Sequence, residues 1–234
     1  MSRHQGIDAF DLTGRTALVT GSTRGIGRVL AEGLAAAGAT VVVHGRNARE
    51  ADRVADEVGG ATGSTTGSFP FDITGPSAGQ GGIGQLGRTI GTPDILVNNA
   101  GVQRRAPIAD FSDDDWDLLV STNLSSAFYL SRRVARGMIT RGSGKLIQIG
   151  SVQSLLGRPS IAPYAATKGA IAMLTKGLCA DLAPHGIQAN AIAPGYFATE
   201  LTRALVDDAE FSSWVRSRTP AGRWGDTSDL VGGA

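Results

Sequence analysis

At 234 residues the chain is long enough for a sizeable core and falls where one α/β domain or two small domains both fit. Its 22 basic and 21 acidic residues leave a net charge of +1, which gives no electrostatic case for nucleic acid or an anionic membrane and makes a small molecule the default partner. The single cysteine, Cys179, excludes an internal disulfide and suits a reducing compartment; in its Ala/Leu-rich stretch it reads as a small buried hydrophobe.

The opening MSRHQGIDAFDLTGR has no long apolar run and is interrupted by Asp8 and Asp11, so neither a signal peptide nor a spanning helix is expected and the protein is placed in the cytoplasm. Short apolar or β-branched runs then recur at 16–19, 40–43, 69–71, 95–97, 146–149 and 187–192. Between them lie helical spacings, such as Val29, Leu30 and Leu34 before Gly38, and Trp116, Leu119, Val120, Leu124 and Phe128. Strands that alternate with helices and read as continuous apolar runs predict one Rossmann-type, doubly wound parallel α/β sheet with helices on both faces. No linker or repeat marks a second domain, so residues 1–234 are read as one.

One stretch conflicts with the pattern. Ile83, Leu86 and Ile90 keep a helical stripe, yet Gly79, Gly81, Gly82, Gly84 and Gly87 lie inside it. At about 1 kcal/mol per glycine relative to alanine, propensity opposes that helix by about 5 kcal/mol. Together with the preceding GGATGSTTGS, residues 59–91 are expected to be the least ordered internal stretch, with a frayed helix.

TGSTRGIG at 20–27 follows the first strand and opens a helix over 26–37. Amides at a helix N-terminus, freed by Gly21, Gly25 and Gly27, suit an anion, though the spacing is G-x-x-x-G-x-G rather than G-x-G-x-x-G. It also lacks the Gly-Lys-Ser/Thr ending of an ATP-binding loop. The second strand ends His44-Gly45-Arg46-Asn47, without the carboxylate that usually reads a ribose 2′-hydroxyl. Arg24 and Arg46 could pair instead with a 2′-phosphate. Further on, Tyr164 and Lys168 stand four apart and share a helix face. An adjacent ammonium favours the phenolate, and a drop of about 3 pKa units would take about 4 kcal/mol. Ser151, just past a strand end, could donate a hydrogen bond to a substrate oxygen.

Taken together, TGSTRGIG at 20–27, NNAG at 98–101, Asn123, Ser151, YAATK at 164–168 and PGYFAT at 194–199 resemble the short-chain dehydrogenase/reductase family in order and spacing over nearly the whole chain. The resemblance implies an oxidoreductase that moves hydride between nicotinamide and a secondary alcohol or ketone. It makes Tyr164 the general acid/base, tuned by Lys168, which also binds the nicotinamide ribose; Ser151 orients the reacting oxygen and Asn123 supports a water-linked proton path. Cofactor contacts are implied for Gly21, Thr23, Arg24, Gly25, Ile26, Gly27, Arg46, Asp72, Asn98, Ala100, Gly101, Tyr164, Lys168, Pro194, Gly195 and Thr199, with no metal. An aspartate usual in NAD-preferring relatives is replaced by Gly45, which favours NADP(H) with NAD(H) as the alternative.

Outside the shared motifs, GVQRRAPI at 101–108, GRPSIAPYAATKG at 157–169 and FSSWVRSRTPAGRWG at 211–225 are similar to the branch of the family that interconverts D-gluconate and 5-keto-D-gluconate. That branch implies Arg104 or Arg105 on a sugar-acid carboxylate, with Gln153, Arg158 and Tyr196 near hydroxyls and Ser151 at the reacting carbon. Two other readings stay open: reduction of a 3-oxoacyl thioester on acyl carrier protein, and a non-catalytic NADP-binding sensor or scaffold. Relatives of this kind continue past Ala234 into a last strand at the sheet edge. Its absence would expose the strand over 187–192 and weaken the homo-tetramer that the family and the Ala/Gly-rich helix over 165–182 suggest.

Overall fold

The computed structural model describes residues 10–74 and 82–234. β1 (Thr16–Val19), β2 (Thr40–Val43), β3 (Thr66–Ser68), β4 (Ile95–Asn98), β5 (Gly144–Ile149) and β6 (Ile187–Ile192) form one all-parallel sheet in the order β3-β2-β1-β4-β5-β6. The order reverses between β1 and β4, and ligands of such sheets bind at the carboxyl ends of the strands at that reversal.

Strand alternation decides which helix covers which face. Ala17, Val19, Val41 and Val43 pack with Leu30 and Leu34 of α1 (Gly25–Ala36) and Val54 and Val58 of α2 (Ala48–Thr62). The intervening Leu18 and Val42, with Leu96 and Leu146, pack on the other face against Leu86 of α3 (Gly82–Thr89) and Leu130, Val134 and Met138 of α5 (Ser126–Arg141). α4 (Asp113–Val120) begins at Ser112, whose side chain accepts the Asp115 amide, and runs through a wider π turn, Ser121–Ser125, into α5. α6 (Ala162–Leu182) starts on Pro163, free of the penalty a proline brings inside a helix. Past β6 come two short helices, α7 (Arg203–Val206) and α8 (Ala209–Arg218), and a closing 3-10 segment, Thr227–Gly233, whose Leu230 joins the α1 side of the core. No helix among the described residues is long and apolar enough to cross a membrane.

Three expectations are corrected. The third strand is Thr66–Ser68, not 69–71: the Phe69 and Phe71 amides still bond to Val43 and Gly45 carbonyls, but Pro70 between them has no N–H to continue the ladder. Residues 59–68 are regular. α2 continues through Gly59 and Gly60 to Thr62, held on the sheet by buried Ala51, Val54, Ala55 and Val58, and Gly63 caps it in the left-handed region. Burial thereby outweighs glycine propensity, and the same holds for α3, which forms around buried Leu86; residues 75–81 lie outside the described ones, as do residues 1–9. Cys179 is exposed, because the α6 stripe that meets the sheet is Ile171, Thr175 and Leu182 and the cysteine falls beside it.

β6 lies at one edge of the six-stranded sheet.

Candidate active site

The turn after β1 is tied down from below. Ser22 Oγ donates to the Val19 carbonyl at 2.7 Å and accepts the His44 amide at 3.0 Å, while the Gly21 amide donates to His44 Nδ1 at 3.1 Å. Asn99 Nδ2 donates to the Thr20 and Gly21 carbonyls at 2.9 and 3.1 Å, and Thr20 Oγ1 accepts the Asn99 and Ala100 amides. Gly21 and Gly25 have φ of +61° and +56°, and a Cβ on Gly27 would collide with the Gly21 carbonyl. At Gly25 the space above the turn is open. α1, which includes Ile26, starts there with no side-chain cap and no acidic residue in its first turn. An open, uncapped helix N-terminus behind a glycine turn fits the pyrophosphate of a dinucleotide.

The corner after β2 is marked by charge. A Cβ on Gly45 would meet Thr23 Cγ2 at 2.6 Å, so the packing of Thr23 under the end of β2 leaves little room for a longer side chain there. Arg46 is exposed beside Asp72, whose carboxyl is held below its usual range chiefly by the Thr74 amide and hydroxyl, with Arg46 adding to them. Arg24, also exposed, stands 3.5 Å from Glu200 on the segment after β6. Arg46 therefore stands at the corner where the expected carboxylate is missing, and Arg24 lies across from it on Glu200.

The reacting end lies past β4, β5 and β6. Asn123 sits in the π turn; its Oδ1 accepts the Val102 amide at 2.8 Å and its Nδ2 donates to the Val102 carbonyl at 3.0 Å and to Thr167 Oγ1 at 3.3 Å. It thus fastens the Gly101–Val102 loop to α6. Ser151 is buried, accepts the Gln153 amide at 3.1 Å and hydrogen-bonds the Tyr164 phenol. Lys168, also buried, donates to the Ile149 carbonyl at 2.7 Å with its Nζ 5.9 Å from the centre of the Tyr164 ring. Burial pushes Lys168 down to about 8. It also raises Tyr164, against the downward pull of the Ser151 hydrogen bond and of Arg105. The expectation of a phenol lowered by the ammonium is therefore reversed here: desolvation wins, and the phenol is a proton donor at neutral pH. The Pro194 carbonyl accepts the Val152 amide at 2.9 Å, so Pro194 and Gly195 lie beside the Ser151 turn, and Thr199 opens the 3-10 turn that carries Glu200.

Two predicted positions fall elsewhere. The Asn98 side chain points beneath the sheet to Ser131 Oγ at 3.0 Å, and the neighbouring Asn99 is the residue whose amide faces the turn. Arg104 is held on Asp115 at 2.9 Å. Arg105 is the one whose charge acts on Tyr164 and Tyr196. Sequence reasoning missed Thr20, Ser22, His44 and Asn99. The strand alternation could have separated Asn98 from Asn99; nothing local marks His44. Gln153, buried, has its Nε2 3.4 Å from Tyr196 Oη, and its Oε1 lacks a hydrogen-bond partner among the described residues. Tyr196 packs edge-on against Phe211, Trp214 and Trp224, so α8 roofs this end of the site.

A family model described as short chain dehydrogenase matches residues 15–210. Gluconate 5-dehydrogenase of Gluconobacter oxydans (strain 621H) is 53% identical over 229 residues, 97% of this chain and 88% of that protein. The 3-oxoacyl-[acyl-carrier-protein] reductase FabG of Escherichia coli (strain K12) is 38% identical, over 95% of this chain and 88% of its own. Among solved structures, a gluconate 5-dehydrogenase from Burkholderia cenocepacia J2315 in complex with NADP and tartrate is 54% identical with a TM-score of 0.93, covering 98% of this chain and 89% of that one.

Proposed function

The chain belongs to the short-chain dehydrogenase family, and from that premise we propose that it interconverts D-gluconate and 5-keto-D-gluconate with NADP(H). The observation that carries this reading is Arg105, a guanidinium without a carboxylate partner among the described residues, placed where its charge acts on Tyr164. An acyl thioester would leave that charge unused; a sugar acid matches it. Supporting it, the relatives at 53% and 44% identity are a gluconate 5-dehydrogenase and a 5-keto-D-gluconate 5-reductase.

When bound, NADP(H) supplies the two-electron chemistry. The chain's own residues do the rest. Arg24 and Arg46 select the 2′-phosphate, and the turn from Gly21 to Gly27, with Asp72, Asn99, Ala100, Gly101, Pro194, Gly195 and Thr199, lines the cleft. Tyr164 Oη gives its proton to the ketone oxygen in reduction and takes it back in oxidation, while Ser151 Oγ orients that oxygen. Lys168 holds positive charge beneath the phenol and the nicotinamide ribose, and Asn123 keeps the Val102 loop in place beside it. Arg105 receives the carboxylate; Gln153 and Tyr196 meet hydroxyls. Exposed Trp116, Phe128 and Tyr129 on α4 and α5 and Met173 on α6 support a homo-tetramer, and the lone cysteine supports a cytoplasmic site.

Steady-state oxidation of NADPH tests the assignment. Turnover is expected with 5-keto-D-gluconate and not with an acetoacetyl thioester; turnover with the thioester alone would sink the sugar-acid reading.

A further inference from the structure

Arg104 and Arg105 are adjacent in sequence and opposite in fate. The first is neutralised by Asp115; the second donates to Gln103 Oε1, at 2.9 Å. A second arginine comes alongside. The loop that carries Arg158 is joined to the loop that carries Arg105 by a hydrogen bond from the Ala106 amide to the Ser160 carbonyl at 3.2 Å. Arg158 Cζ stands 5.4 Å from the centre of the Phe211 ring, and Phe211 stands 5.5 Å from Tyr196, which reaches Gln153. Among the described residues neither arginine has a carboxylate within ion-pair distance. Burial and then the like charge of Arg158 both press Arg105 below its usual pKa.

Arg105 is exposed and Arg158 partly so, and two guanidiniums brought together at the rim of a cleft repel each other unless an anion lies between them. Stacking on Phe211 fixes the plane of one, leaving its edge free for hydrogen bonds. We infer that Arg158 is a specificity-determining residue which, with Arg105, clamps the carboxylate at the end of the substrate remote from the reacting carbon. This rests on the sugar-acid reading and extends it: Arg158 meets the charged group, rather than a hydroxyl, and the α8 roof is part of how an acid is told from a neutral sugar.

The test uses 5-keto-D-gluconate and L-sorbose, the neutral ketose in which CH2OH replaces the carboxylate. Arg158→Gln should raise the KM for the acid tenfold or more, while kcat, the KM for NADPH and the kcat/KM for L-sorbose each stay within about threefold; Arg158→Lys should recover part of the loss. An unchanged KM for the acid, or a parallel loss with L-sorbose and NADPH, overturns the clamp. A binding arm reads it without turnover: D-gluconate, and not sorbitol, should raise the Tm of the NADP-bound wild type, and Arg158→Gln should abolish that shift. If wild type turns over neither sugar yet the shift behaves so, the reaction assignment fails and the clamp stands. If gluconate shifts both proteins equally, or neither, the clamp fails.

Discussion

Lowering the pH from 6.5 to 4 should remove about 3 kcal/mol of folding stability through one buried side chain, His44. The imidazole is buried, edge-on to Phe71, with Nδ1 accepting the Gly21 amide. Desolvation is the main cause that holds its pKa down at about 4, against an ordinary value of 6.5. The difference of about 2.5 units, at 1.36 kcal/mol each, gives about 3 kcal/mol. A depressed histidine favours the folded state's neutral form, so the unfolded chain binds the extra proton. The contribution is therefore complete above pH 6.5 and is lost as the pH falls to about 4. Urea unfolding of wild type and His44→Gln at pH 7, 6, 5 and 4 measures it, because glutamine offers the Gly21 amide an acceptor and does not titrate. Carboxylates that titrate at the lower end are common to both proteins and cancel in the difference. Wild type should lose about 3 kcal/mol more than the variant across the window, with NADPH affinity falling alongside as the protonated ring ceases to accept the turn amide. Parallel pH curves would refute the reasoning.

Other outcomes follow from single positions. Arg24→Ala should raise the KM for NADPH about tenfold while that for NADH moves less than twofold; an equal effect on both would return Arg24 to a surface role on Glu200. Gly27→Ala should cost 1–3 kcal/mol in urea unfolding, on the order expected for overpacking, together with most of the cofactor affinity, because the new Cβ meets backbone that cannot withdraw. A variant with wild-type stability and KM would show that the turn yields. Ser160→Gly should stabilise by up to about 1 kcal/mol, since Ser160 has φ +64° and glycine relieves that conformation against its own entropy cost. A lower urea midpoint would contradict it.

Much of this was legible in the sequence for physical reasons that differ from element to element. β1 and β2 were readable to the residue because doubly covered parallel strands are almost continuously apolar, and β6, an edge strand that buries Ile187 and Ala189 and exposes Gln188 and Asn190, was readable from its alternation. Ser151, Tyr164 and Lys168 were readable because a strand end and an i, i+4 helix pair fix their neighbourhood without further information. The third strand was misplaced because Phe69 and Phe71 look like strand residues and are core residues just past one. The order of residues 59–68 was missed because glycine propensity is local and the buried stripe of α2 that overrides it is not. Asn98 was taken for Asn99, and Arg104 was not told from Arg105, for one reason: identical neighbours differ only in which way the backbone turns them. The Tyr164 pKa went the other way because charge spacing is written in sequence and desolvation is not.

Beneath the sheet, Asn98 of β4 and Gln148 of β5 are register partners, and both amides donate to Ser131 Oγ, at 3.0 and 3.1 Å. Two strands sliding past each other by one residue would put one of these amides among leucines with nothing to bond. The shared hydroxyl therefore works as an alignment pin. Asn99 follows one side of the pin by a single residue and Ser151 the other by three, so the glycine turn and Ser151 inherit their relative placement from a contact that touches neither. Exchanging Ser131 for a residue without a hydroxyl would loosen the spacing between cofactor and substrate while every group that handles them remained in place.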